Sequence, residues 1–169
     1  MPSFSRGTIL YAIVIAALLA VLPGAIIKIL QTGDPYLFTE RFFQDVLARL
    51  SGPGRLRFIF QPTVAIFLGM RGGIKDAEQG LPPFLWALAF HGEHRRKLLR
   101  NALLSIRDLI AIAILLDMIS QFLIFHYVRP GAALLVGPVL ITLPYSLARA
   151  LSNRVAQRKG RLSSTARTS

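Results

Sequence analysis

The sequence contains no cysteine, which excludes disulfide bonds, thiolate metal sites and cysteine nucleophiles. Charge is scarce as well: 17% of the 169 residues are charged, against roughly 25% in typical soluble domains. Negative charge is scarcer than positive charge, with 8 Asp and Glu against 20 Lys and Arg, so the formal net charge is +12. The chain also lacks a recognisable Ser-His-Asp set, a Walker phosphate loop and a dinucleotide-binding glycine pattern. We therefore expect neither an enzyme nor a cofactor.

Apolar residues are abundant, at 53% of the chain with a mean hydropathy of +0.53, and they fall in long runs. The run Thr8–Ile27 holds twenty residues without a charge, enough to cross about 30 Å of hydrocarbon. Similar runs predict spans over residues 8–30, 103–128 and 131–149. The turn at Arg129, Pro130 and Gly131 makes the last two antiparallel neighbours. The predicted fold is an all-α integral membrane protein over residues 1–151, with three to four transmembrane helices and a basic tail over 152–169.

The middle of the chain leaves two alternatives. Phe58–Met70 is apolar but only thirteen residues long, so residues 58–75 either form a fourth span or dip into an interface. The shorter run over 81–91 is predicted to be interfacial. With four crossings both chain ends lie on the cytoplasmic side. With three crossings the N-terminus lies outside, and the basic residues of the 31–57 stretch favour this alternative because it places them on the cytoplasmic side.

Residues 35–51 are predicted to form an amphipathic helix that lies flat at the membrane interface. Asp34 can cap this helix, and Gly52 belongs to the turn that ends it. Apolar side chains share one face at helical spacing, and polar ones share the other. The alternative is a helix that packs on the protein's own loops.

Basic residues flank the last two spans on one side. Because such residues collect on the cytoplasmic side, the C-terminus is predicted to be cytoplasmic. They favour binding to anionic lipid headgroups or to a partner, since no aromatic residues are interleaved among them as in a nucleic-acid site. The residues concerned are Arg95, Arg96, Lys97, Arg100, Arg154, Arg158, Lys159 and Arg161.

Asp117 lies near the centre of a predicted span, where an ionised carboxylate costs about 2.5–3.5 kcal/mol on insertion scales. Gln121 lies one turn further along the same face, and Thr142 and Tyr145 are the candidate partners on the returning helix. One hypothesis is a proton- or cation-binding group. The other, which we favour because no line of polar residues crosses the membrane, is a buried helix–helix contact.

A metal site is not expected. His91, Glu93 and His94 are metal-ligand types, but their spacing matches no closed site and no second cluster supports them. A solvated loop explains these residues better. An enzyme built on them would require a bound metal ion.

The stretches "RFIFQPTVAIFLGMRGGIKDAEQGLPPFLWALAF", "LLDMISQFLIF" and "RPGAALLVGPVLITLPY" resemble a family of small bacterial integral inner-membrane proteins to which no activity is attached. The resemblance covers roughly residues 57–154 and implies a multi-pass protein of the bacterial inner membrane. It assigns no functional residue.

These observations predict a non-catalytic membrane subunit, assembly factor or scaffold that packs against other integral membrane proteins. The alternative is a homo-oligomeric channel or small transporter in which copies of Asp117 surround a pore.

Overall fold

The structure is a computed structural model that describes residues 6–33, 36–52, 54–90 and 92–165, without the side chains of 6, 32, 92–94 and 160–165. These residues form six helices and no strand, so the all-α prediction is confirmed. The helices are α1 (Arg6–Thr32), α2 (Glu40–Ser51), α3 (Arg57–Glu78), α4 (Phe84–Phe90), α5 (Gly92–Phe125) and α6 (Pro130–Thr165).

Three segments of the described helices are long and apolar enough to cross a membrane: Gly7–Gln31, Arg95–Phe125 and Pro130–Lys159. They overlap the spans predicted over residues 8–30, 103–128 and 131–149. The 22-residue helix α3 covers the ambiguous stretch 58–75 without interruption, although it carries Pro62 inside. Its length is about 33 Å at the usual helical rise.

The ends of α2 and α6 differ from the sequence prediction. Helix α2 begins at Glu40, where the Thr39 hydroxyl oxygen accepts a hydrogen bond from the Phe42 N–H at 3.4 Å. The predicted cap, Asp34, lies outside the described residues. Helix α6 continues to Thr165 and so includes most of the stretch 152–169, which the sequence predicts as a basic tail after the last span. The added turns extend an already nucleated helix, and extension needs no new nucleus.

The chain divides into two compact units, which we describe separately. Unit 1 comprises Met1–Gln61 and Asp108–Leu140, and unit 2 comprises Pro62–Arg107 and Ile141–Ser169. The core of unit 1 joins α1, α5 and α6 through a small cluster of buried apolar residues, namely Val14, Ala111, Ile114, Met118 and Ala133.

Helices α1 and α5 run in the same direction within unit 1. Near the start of α1, the Tyr11 hydroxyl donates a hydrogen bond to Asp108. Near the other end, the Lys28 ammonium lies 3.7 Å from the ring centroid of Tyr127, just beyond α5. The contact of the earlier α1 residue is with the earlier α5 residue, and that of the later one is beyond the α5 end, so the two helices are parallel.

Unit 2 is built on a close approach of α3 to α6. A Cβ atom at Gly69 would collide with the Tyr145 carbonyl oxygen, and one at Gly73 would collide with the Arg149 carbonyl oxygen. Two glycines four residues apart therefore let the backbones touch. The polar end of α6 also fixes the chain after α3, because the amide groups of Asn153 and Gln157 donate to the Leu81 carbonyl at 3.1 and 3.0 Å. An open apolar groove of about 1640 Å³ lies in this unit, beside α3, α4 and α6.

Candidate functional site: two buried arginine–aspartate clusters

Asp117 is fully buried in unit 1 and is bound by two arginines. Arg57 donates through Nη2 to Oδ1 at 2.5 Å, and Arg49 donates through Nη1 to Oδ2 at 3.2 Å. Gln121, one turn further along α5, donates through Nε2 to Oδ2 at 2.7 Å. We call these four residues the Asp117 cluster. Both carboxylate oxygens are thus engaged by the chain's own side chains.

The local sequence explains how the two arginines reach Asp117. On α2 the buried positions Phe42 and Arg49 are seven residues apart, so they share a face at helical spacing. The chain then turns back at Gly54, whose φ of +87° is accessible mainly to glycine, and Arg57 begins α3. A Cβ atom at Gly54 would lie 3.5 Å from the Ser120 hydroxyl, so the turn is seated on α5 close to Asp117.

A line of hydrogen bonds leads from Asp117 to the loops of unit 1. The Gln121 Oε1 atom accepts from the Arg129 backbone N–H at 2.8 Å. The Arg129 guanidinium forms an ion pair with Asp45, which also accepts a hydrogen bond from the Tyr36 hydroxyl at 2.6 Å. Residues of α2, α5 and the α5–α6 connection are therefore joined by one polar network.

Aromatic rings surround the loop end of this network. The Arg129 guanidinium lies 3.6 Å from the ring centroid of Tyr36 and 4.6 Å from that of Tyr127. Such cation–π contacts are worth about 0.5–2 kcal/mol each. Partial burial, followed by the hydrogen bond to Asp45, raises the pKa of Tyr36 to about 12. The Tyr36 phenol therefore stays protonated as a donor to Asp45 over the ordinary pH range.

The Asp117 cluster carries more positive than negative charge. Two guanidinium groups face one carboxylate, a formal charge of +1 at a site where Arg49 and Asp117 are 0% exposed and Arg57 is 7% exposed. Among the described residues, Nε and Nη2 of Arg49 and Nε of Arg57 have no hydrogen-bond partner, and neither do the two amide atoms of Gln61. Unpartnered buried polar atoms of this kind are costly, at about 1–3 kcal/mol each.

A second buried ion pair lies in unit 2. Arg149 binds Asp76 through two parallel hydrogen bonds, Nε to Oδ2 at 2.6 Å and Nη2 to Oδ1 at 2.9 Å. Its remaining nitrogen, Nη1, donates to the Tyr145 hydroxyl at 2.9 Å, and the guanidinium lies 4.7 Å from the ring centroid of Phe84. We call Asp76, Tyr145 and Arg149 the Asp76 cluster. Its formal charge is zero, and the fork geometry is the strongest form of this pair.

The four polar residues that the sequence predicts as one helix contact do not all lie together in the structure. Asp117 and Gln121 are hydrogen-bonded to each other in unit 1. Tyr145 belongs to unit 2 and is hydrogen-bonded to Arg149, and Thr142 lies half-buried in the same unit. The basic residues with described side chains are exposed, namely Arg95, Arg96, Lys97, Arg100, Arg154, Arg158 and Lys159. The side chains of Arg161, His91, Glu93 and His94 lie outside the described part of the chain, and the side chains that are described include no group of three or more metal-ligand residues.

The sequence reasoning missed the two arginines that bind Asp117. For Arg49 the sequence does carry an indication of burial: it follows Phe42 by seven residues and so shares the face of that apolar residue in an amphipathic helix. Arg57 lies directly before the apolar stretch Phe58–Met70, and nothing local in the sequence indicates that its side chain is buried against Asp117. Comparison with family models, with curated proteins and with solved structures finds no match.

Proposed function

We propose that the chain is a non-catalytic subunit, assembly factor or scaffold that acts by helix packing within a membrane-protein complex of the bacterial inner membrane. The observation that carries this proposal is the environment of Asp117, whose two oxygens are bound by Arg49, Arg57 and Gln121 of the same chain. A carboxylate held in this way serves to fix three helices against one another. The second buried pair, Asp76 with Arg149, does the same for α3 and α6.

The same observation weighs against the channel alternative. A cation-conducting or proton-carrying Asp117 requires access to water and a local field that attracts cations. Here the carboxylate is 0% exposed and two guanidinium groups leave a net positive charge around it. A cation entering this site would be repelled.

The parallel arrangement of α1 and α5 supports four crossings. If both helices cross the membrane in the same direction, the chain must return between them. Among the described residues between them, α3 is the one helix of more than 18 residues. We therefore propose that α3 is the fourth crossing and that both chain ends lie on the cytoplasmic side with Arg95, Arg96 and Lys97. Four crossings place the basic residues of the 31–57 stretch outside, against the usual distribution of positive charge. This objection is weakened because two of them, Arg49 and Arg57, are buried against Asp117.

The absence of cysteine makes this topology directly testable. A single cysteine at Leu37, in the α1–α2 connection, should react with a membrane-impermeant thiol reagent added outside. A matched cysteine at Gln79, after α3, should react only when the membrane is opened. Protection of position 37 from the external reagent would support three crossings instead.

The surfaces available to partners are apolar on the helices and basic at the cytoplasmic end. Only 6% of the residues in the most apolar window of α1 are buried, against 39% in α5 and 28% in α6. On α2, Phe43, Leu47 and Leu50 are between 44% and 62% exposed, which suits a helix lying at the interface. The exposed arginines and lysines suit anionic lipid headgroups, at about 1 kcal/mol per basic residue.

Site-directed crosslinking combined with isolation at native abundance tests the proposal. A photoactivatable probe on a single cysteine at Leu19, on the exposed side of α1, should trap one defined integral membrane protein. A probe at Ile119, an exposed residue of α5, is the matched control. The same partner should co-purify in stoichiometric amount in lipid nanodiscs. A homo-oligomer without other proteins would contradict the proposal, and proton and ion flux in liposomes with Asp117→Asn as control would then be measured.

A further inference from the structure

The two buried clusters bind carboxylate with different edges of the guanidinium group. In the Asp76 cluster, Arg149 uses the edge formed by Nε and Nη2, which presents two parallel N–H groups to the two oxygens of Asp76. In the Asp117 cluster, Arg49 uses Nη1 alone. Its Nε and Nη2 have no partner among the described residues, although both atoms are buried. The Nε–Nη2 edge, with which Arg149 binds a carboxylate in unit 2, therefore has no hydrogen-bond acceptor at Arg49 in unit 1 among the described residues.

The positive charge of Arg49 is only partly balanced, because Arg49 shares the carboxylate of Asp117 with Arg57. The described acidic side chains of unit 1 other than Asp117 are engaged elsewhere: Asp45 with Arg129, Asp108 with Tyr11, and Glu40 with Gln44. The Arg49 guanidinium lies 5.9 Å from the ring centroid of Phe125, which is a weak contact. One carboxylate shared by two buried guanidinium groups leaves one positive charge unbalanced, which is unfavourable because attraction to an anion must offset the desolvation of each guanidinium.

More unpartnered groups lie one helical turn away. Arg57 and Gln61 are four residues apart on α3 and therefore share a face. Arg57 has an unpartnered Nε and Gln61 an unpartnered amide nitrogen, again among the described residues, and both side chains are more than nine-tenths buried. Three guanidinium nitrogens of the two arginines and the amide nitrogen of Gln61 therefore have no partner among the described residues in and beside the Asp117 cluster.

We propose that the Asp117 cluster is an occluded binding site for a small, planar, monovalent oxyanion of the carboxylate class, held by the Nε–Nη2 edge of Arg49. A carboxylate matches the fork of two parallel N–H groups and brings the formal charge of the cluster from +1 to zero. Water could accept the same hydrogen bonds but would leave the charge unbalanced. Because the Arg49 edge is covered, the ion enters only when the packing around Arg49 opens locally, and its exchange is slow. The site does not depend on the proposed subunit role.

Thermal unfolding of the full-length protein in nanodiscs tests the site. At constant ionic strength, isethionate is replaced stepwise by formate, and in a parallel series by chloride. Formate is expected to raise the unfolding midpoint by several degrees and to saturate, as ligand binding to the folded state requires. Chloride, which lacks the fork geometry, is expected to act more weakly. No response of the wild-type protein to formate would overturn the proposal, and an equal response to chloride would overturn the assignment to the carboxylate class.

Two variants and one control locate the effect. Arg49→Gln makes the cluster neutral, since Arg57 and Asp117 remain, and it should abolish the response to formate. Gln61→Met, which keeps the volume and removes two unpartnered atoms, should fold normally and weaken the apparent affinity for formate by about tenfold. Arg95→Gln changes the same charge at an exposed position and should respond like the wild type. A full formate response in either Arg49→Gln or Gln61→Met would overturn the proposal.

Discussion

The Asp117 and Asp76 clusters contain the same kinds of side chain and differ in their stoichiometry. In unit 2 one arginine meets one aspartate through two parallel hydrogen bonds, and its third nitrogen is bound by Tyr145. In unit 1 two arginines share one aspartate, and three guanidinium nitrogens are left without a partner among the described residues. Both sites are nearly or completely closed to solvent. The Asp76 cluster is electrically neutral and its guanidinium is fully hydrogen-bonded. The Asp117 cluster has an excess positive charge and, within the described part of the chain, N–H donors without a partner.

The difference separates two consequences of burying an arginine. A neutral, fully hydrogen-bonded pair is stable as long as both members are present, and removal of either one leaves an uncompensated charge. A cluster with an excess arginine should tolerate loss of that arginine but not loss of its single carboxylate. The five predictions below test this asymmetry and its surroundings, from the largest expected effect to the smallest.

The largest effect is expected for Asp117→Asn. This change leaves Arg49 and Arg57 buried with no carboxylate, and it should lower the free energy of unfolding by about 3–5 kcal/mol or prevent folding. Equilibrium unfolding in detergent, together with the yield of folded protein, measures it. Asp108→Asn is the matched control, because Asp108 is exposed and should cost far less. Equal behaviour of the two variants would show that the carboxylate of Asp117 is not needed to hold the arginines.

Arg149→Gln should also be strongly destabilising, by about 3–5 kcal/mol, because it leaves Asp76 buried and unpaired. The double variant Asp76→Asn with Arg149→Gln should recover a substantial part of this loss, since it removes both charges. A double-mutant cycle on the free energies of unfolding measures the coupling. Strictly additive effects would mean that the two side chains do not stabilise each other.

The close approach of α3 and α6 in unit 2 gives the next prediction. Gly73→Ala places a methyl group against the Arg149 carbonyl oxygen, so the two helices must separate, at a cost of about 1–3 kcal/mol. Gly72→Ala is the neighbouring control, because its Cβ would lie at ordinary contact distance, 3.4 Å from Arg149 Cδ. Thermal midpoints of the two variants compare them. A larger loss for Gly72→Ala would contradict the packing described here.

Arg49→Gln is the counterpart of Arg149→Gln in unit 1, and its effect should be small. It removes the hydrogen bonds of Arg49 Nη1 to the two oxygens of Asp117 but also the excess charge, and the neutral pair of Arg57 and Asp117 remains. We expect the free energy of unfolding, measured without added carboxylate, to change by about 1 kcal/mol or less. A loss as large as that of Arg149→Gln would remove the distinction between the two clusters.

The smallest effect concerns Tyr36, at the loop end of the network. Its pKa is raised from 10.0 to about 12, first by burial and then by the hydrogen bond to Asp45. The protonated phenol is therefore favoured in the folded state. Its contribution to stability is fully present below pH 10 and is lost as the pH rises from 10 to 12. Ultraviolet titration should show a component that ionises near pH 12, and Tyr36→Phe should remove that component and flatten the stability profile over this interval.

The part of the fold that could be predicted from sequence depends on local composition. Long apolar runs, such as Thr8–Ile27, predict helices of the observed length because the helical rise and the hydrophobicity of a run are local properties. The need of Asp117 for a partner can also be predicted from its neighbours alone, since a carboxylate in an apolar run must be hydrogen-bonded or paired. Gln121 could be placed beside it because the two are one helical turn apart.

The partners of Asp117 could not be predicted in this way, because they lie 60 and 68 residues away in the chain. A search by depth on the neighbouring helix leads to Thr142 and Tyr145, whereas the structure bonds Tyr145 to Arg149. The spacing of Gly69 and Gly73 was visible, but only the structure shows that both face the backbone of α6. Long-range pairing depends on how helices are arranged, and a single sequence specifies that arrangement only through weak hints.

The distance in sequence between Arg57 and Asp117 has a consequence for how the protein is made. During synthesis Arg57 leaves the ribosome 60 residues before its counter-charge. At about 5–20 residues per second, this is a delay of roughly 3–12 seconds. Over that interval α3 has an unneutralised arginine and a mainly apolar stretch of only thirteen residues, Phe58–Met70. If α3 is the fourth crossing, as proposed above, we expect its stable insertion to wait for α5, so that the two helices enter the membrane together.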